Sequence, residues 1–130
     1  MQLHSLIVTD GITISYDSHN KWLYVDWRGE HDNASSKVAC LLMLDALRQH
    51  PCRKILNDNS NISHTTVTLS EWSNLWLQDM RQAGLQHLAW VLPRSSDTLN
   101  TAYLSLRAIQ APVVVTFAEL ASAYEWLRKQ

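Results

Sequence analysis

Polar clusters follow successive apolar runs in this chain: Arg28-Gly29-Glu30-His31-Asp32, then Asn57-Asp58-Asn59-Ser60, then Arg94-Ser95-Ser96, with Thr116 closing a last run. If the runs are parallel strands, the clusters gather on one edge of a sheet, where open α/β sheets hold their ligands. Helix N-termini share that edge, and their free N–H groups attract anions. With Arg28 and Arg94 beside them, a carboxylate or phosphate could be held there. Asp58 with His31 or Arg28 could in principle do acid–base work. The same residue types also cap helices and make turns.

Other chemistry is hard to place. No set of His, Cys, Asp and Glu has metal-ligand spacing, and His31, His64 and His87 read as structural or solvated. No GxSxG, HExxH, P-loop or dinucleotide fingerprint occurs, and three glycines leave no glycine-rich phosphate cradle. No enzyme activity, metal or cofactor is therefore expected.

Composition narrows the partners. The 130 residues suit a single domain, residues 1–130. With 46% hydrophobic and 18% charged residues the chain should fold. Eleven basic and 12 acidic residues give a net charge of -1 without a basic run, which argues against nucleic acid. Cys40 and Cys52 form no CxxC pair, so reduced thiols and a cytoplasmic setting are expected. No apolar stretch approaches a membrane span, and Met1-Gln2-Leu3-His4-Ser5 lacks the basic flank of a signal peptide.

The elements that must position the clusters are legible in the patterning. Ile12, Ile14 and Tyr16 alternate with Thr13 and Ser15, Asp17-Ser18-His19-Asn20 supplies turn residues, and Trp22 to Arg28 is extended again. A helix is expected over residues 34–49, with Lys37, Asp45 and Arg48 as its polar stripe. Residues 53–57 form a buried strand, followed by a polar loop over 58–67. Thr68 with Glu71 matches a capping box, and Trp72, Leu75, Trp76, Met80 and Ala83 share one face of the helix it opens, which Gly84 ends. A strand over 85–92, a helix capped by Asp97, a strand at 113–115 and a helix boxed by Thr116 and Glu119 complete the chain. The fold class is α/β: a single mixed sheet of about five strands, an antiparallel hairpin followed by parallel βαβ units, with about four helices.

Residues along this pattern resemble the STAS-type domain of bacterial anti-sigma-factor antagonists and sulphate-transporter tails. The nearer likeness is to small stand-alone relatives of the sporulation antagonist. It rests on Leu23-Tyr24-Val25-Asp26-Trp27-Arg28-Gly29, Ile55-Leu56-Asn57-Asp58-Asn59, Gly84-Leu85 with Ala89-Trp90-Val91, and Thr116-Phe117, Ala123 and Trp126-Leu127. In that family a serine at the start of the helix after the third strand is phosphorylated by a partner kinase. The family's Asp-Ser-x-Gly is replaced here by Asn59-Ser60-Asn61-Ile62-Ser63-His64-Thr65-Thr66, so Ser60 is the nearest candidate phosphosite.

The resemblance implies a non-catalytic regulatory protein that recognises a protein partner in signalling, of the kinase-like or sigma-regulatory kind. The alternative is a small-molecule or lipid-binding module with its site at the strand ends. The residues expected to serve either role are Arg28, Glu30, His31, Asn57, Asp58, Asn59, Ser60 and Arg94. Trp22, Tyr24, Asp26 and Arg28 share one strand face, read as a recognition surface or as a half-covered edge strand. Of Trp22 and Trp27, which fall on opposite faces, at least one is expected to be partly exposed. Leu41 and Leu77 are expected outside the apolar faces of their helices, which makes a homodimer conceivable.

Overall fold

The residue pair Ile55-Leu56 has no solvent exposure at all, because the strand that carries it lies inside a sheet. A computed structural model describes residues 1–68, 70–94 and 111–130. They form six strands, β1 (Leu3–Val8), β2 (Ile12–Asp17), β3 (Trp22–His31), β4 (Lys54–Thr65), β5 (His87–Val91) and β6 (Val113–Phe117). Three helices accompany them: α1 (Asn33–Gln49), α2 (Glu71–Gln82) and α3 (Leu120–Arg128). The helix expected from Asp97 lies outside the described residues.

Spatial order follows chain order, β1 to β6, in one mixed sheet. β1, β2 and β3 pair antiparallel, and β3 to β6 run parallel. Helices α1 and α2 cover one face over Ile14, Val25, Trp27, Ile55, Met43, Leu47 and Met80. Helix α3 covers the other over Trp22, Leu56, Ala89, Ala123 and Leu127. Burial on both faces explains why the parallel strands read as continuous apolar runs.

Several boundaries differ from the sequence expectation, each for a physical reason. β1 adds a strand, because a register shift between Ser5 and Ile7 breaks the alternation that would reveal it. The loop expected over 58–67 is mostly strand: β4 continues to Thr65 alongside the ten residues of β3. Pairing with β3 outweighs the weak strand propensity of Asn and Ser. β3 is central, not an edge strand, and both Trp22 and Trp27 are buried. On α2, Leu77 and Met80 face the core while Leu75 is exposed. Trp72 and Trp76 are half-buried, and Trp76 Nε1 donates to the Cys40 carbonyl at 2.8 Å, bridging the two helices.

Candidate functional site

Parallel strands β3 and β4 fall out of step twice near their C-terminal ends. Asp26 pairs with Asp58 and Arg28 with Asn61, so β4 carries one extra residue there, and a second shift lies between Gly29 and Glu30. Bulges of this kind re-aim side chains next to functional sites. Here the first one places Asp58, Asn59 and Ser60 at a bend of the sheet.

Asp58 is buried, and among the described residues no cation pairs with it. Tyr24 Oη donates to its Oδ2 at 2.7 Å, Ser60 Oγ donates to Oδ1 at 2.6 Å, and the Ser60 N–H reaches Oδ1 at 3.0 Å. Three donors on one carboxylate satisfy what burial would otherwise leave exposed to a low dielectric. Burial first, and then the hydrogen bond and charge of Asp58, raise the Tyr24 phenol well above the usual tyrosine value. The phenol therefore stays protonated and keeps donating.

Beside this chain Asp26 accepts from Asn61 Nδ2 at 3.0 Å and lies 3.5 Å from Arg28 Nη1. Arg28 is tethered further, its Nη2 donating to the Thr9 carbonyl at 2.8 Å. Its side chain is 39% exposed and that of Asp26 24%, so this group faces solvent at the rim. The pairing is of the surface kind, about 0–1 kcal/mol.

The other expected residues are distributed elsewhere. Asn57 points to the α1 and α2 side, where its Oδ1 accepts from Trp27 Nε1 at 2.7 Å. His31 is also on that side, its ring edge-on to Trp27 at 5.0 Å. Its Nε2 meets the carbonyls of Gly11 at 3.1 Å and Arg28 at 3.0 Å, and its Nδ1 meets Ser35 Oγ at 3.1 Å. Two carbonyl partners require Nε2 to carry a proton. The sheet thus separates His31 from Asp58, and the two do not form an acid–base pair.

Glu30 and Arg94 are exposed, and Ser95 and Ser96 lie outside the described residues. Asn59 Oδ1 is buried and finds no hydrogen-bond partner among the described residues. The first helix N-terminus is closed from within, since Asp32 accepts from the Ser35 N–H at 2.8 Å. That hydrogen bond lowers the Asp32 carboxyl. Buried Cys40 has its thiol pushed up to about 12 by desolvation, against the opposing effect of the Ser36 hydroxyl, and is no thiolate nucleophile. No group of His, Cys, Asp and Glu able to hold a metal occurs among the described residues.

Tyr24 and Asn61 stand in the sequence only within a strand face and within the stretches compared with the family, and neither is among the expected site residues. The usable signal was parity. Tyr24, Asp26 and Arg28 alternate onto one face of β3, and that face meets Asp58.

No protein-family model matches the sequence, and no curated protein matches it either. Among solved structures, an uncharacterised DUF3478-family protein with a SpoIIAA-like fold from Shewanella loihica PV-4 superposes with a TM-score of 0.57 at 15% identity, covering 94% of this chain and 99% of that one. The anti-sigma-factor antagonist SpoIIAA in its unphosphorylated form superposes with a TM-score of 0.51 at 14% identity, covering 98% of this chain and 99% of that one. The fold of this chain is SpoIIAA-like, that of a STAS-type domain.

Proposed function

From a SpoIIAA-like fold as premise, we propose that this protein is a non-catalytic regulatory module of the cytoplasm. Its partner is another protein, and the recognition surface is the edge where β3 and β4 end. The observation that carries this is the Asp26–Arg28–Asn61 group, half-exposed yet pinned on the paired strands β3 and β4 beside the bulges of β4. A charged surface held rigid before contact loses little conformational entropy on binding. SpoIIAA is described as an anti-sigma-factor antagonist, so a sigma-regulatory or kinase-like protein is the class of partner that likeness suggests.

Ser60 is the residue at which modification would act. Its hydroxyl donates to Asp58, and a phosphoryl group on Oγ would confront that buried carboxylate. Like-charge repulsion would then break the Tyr24–Asp58–Ser60 chain and reshape the rim. Ser60 is in a strand and not at a helix start, so this switch would work by disrupting the bulge.

The test is cross-linked capture of partners from cell extract by the wild type, Arg28→Ala, and Arg48→Ala on α1 as control. A partner held by the wild type and Arg48→Ala but lost with Arg28→Ala supports the proposal. Equal capture by all three overturns it. A small molecule co-purifying in native mass spectrometry, with no protein partner, would support the ligand-binding alternative instead.

A further inference from the structure

β1 ends the sheet, and among the described residues nothing pairs with its outer side. Sheet edges are ordinarily protected by Lys, Pro or charge. Leu3-His4-Ser5-Leu6-Ile7-Val8 has none of these, and Leu3 is 46% and Val8 68% exposed. The register shift between Ser5 and Ile7 is its one protective device, and it also sets the phase of the strand. Leu3, Ser5 and Val8 pair with Asp17, Ser15 and Thr13, whereas His4 and Ile7 pair with Tyr16 and Ile14. Leu3 and Val8 therefore share a face, although five residues apart in a regular strand would put them on opposite ones.

This phase makes the outer parts of the strand complementary to themselves, whereas at the centre Ser5 meets Leu6, the extra residue of the register shift, which packs into the core beside Ile7. An antiparallel pairing about the peptide between Ser5 and Leu6 sets Leu3 opposite Val8 of a second copy, and the two-fold axis repeats that apolar pair. His4 falls opposite Ile7 on the other face. Directly opposed residues of antiparallel strands lie on the same face and are the unit of sheet stabilisation. A two-fold contact also closes, giving a dimer and not a fibre.

We propose that β1 is a dimerisation edge and that its occupant is the β1 of a second copy of this chain, joining two sheets into one. The proposal concerns the free edge of β1, two strands away from β3, and does not depend on the partner surface above.

Sedimentation velocity over a micromolar concentration series tests it, with Val8→Lys at the edge and Leu41→Lys at an exposed leucine of α1 as control. The wild type and Leu41→Lys should dimerise, and Val8→Lys should weaken the dimer roughly tenfold, the scale of losing two symmetry-related cross-strand pairs. Amide hydrogen exchange on the unaltered protein gives a second readout, in which Leu3 to Val8 should become protected as concentration rises. A wild type that stays monomeric, a Val8→Lys dimer as tight as the wild type, or exchange at β1 independent of concentration overturns the proposal.

Discussion

Asp17 shows how much one carboxylate can organise. It has no solvent exposure and takes the N–H groups of Gln2 at 3.2 Å, His19 at 3.0 Å and Asn20 at 3.2 Å, plus Asn20 Nδ2 at 2.7 Å. Burial alone would raise its pKa, but the donors prevail and hold it below the ordinary aspartate value. A depressed carboxyl adds stability that is complete above the unfolded value and fades as pH falls through the folded one. Asp17→Asn should therefore cost about 1–3 kcal/mol in urea unfolding at pH 7, with the difference shrinking below about pH 4. An equal cost at pH 7 and pH 3 would contradict that. Tyr24 supplies a second check: in a spectroscopic alkaline titration it should stay un-ionised past the usual tyrosine value of about 10. The acid turn at Asp17 was legible from Asp-Ser-His-Asn. The Tyr24–Asp58 contact was not, since its partners are 34 residues apart.

Elements were legible by type and less so by boundary. Thr68 and Glu71 satisfy a capping-box pattern, yet α2 starts after Ser70, whose N–H meets Ser73 Oγ at 3.4 Å. Asn33 holds Thr68 from α1, its Oδ1 accepting the Thr68 N–H at 3.0 Å, so the chain turns into the helix later. Thr116 cannot cap α3 because it is paired with Trp90 inside β6. The junction of β2, β3 and α1 depends on a close approach. A Cβ on Gly11 would lie 3.1 Å from His31 Cε1 and 3.3 Å from Nε2. Gly11→Val should displace the ring from its two carbonyls, shift the His31 signals in NMR spectra and cost about 1–3 kcal/mol. Unmoved ring signals would show that the junction yields elsewhere.

At the scale of the molecule, stability rests on the strands buried from both sides. Leu56 is fully buried beneath α3, so Leu56→Ala should lower the unfolding free energy by about 2–5 kcal/mol. That is a large part of the roughly 5–15 kcal/mol such a domain has in total. Leu41→Ala, at a side chain 55% exposed, should change it by less than about 0.5 kcal/mol. Urea midpoints at constant slope check both, and equal effects would mean that α3 does not seal its face.

The chain's own patterning determined the α/β class, the antiparallel start, the parallel continuation and the interior course of Leu56. Those follow from periodicity, which reports which sides of a segment avoid water. Tertiary structure alone decided that β4 runs on to Thr65, that Asp58 answers to Tyr24 and Ser60, and that His31 faces away from both. Register and bulges are fixed by hydrogen bonds between strands distant in sequence, and a one-residue step exchanges the two faces of a sheet.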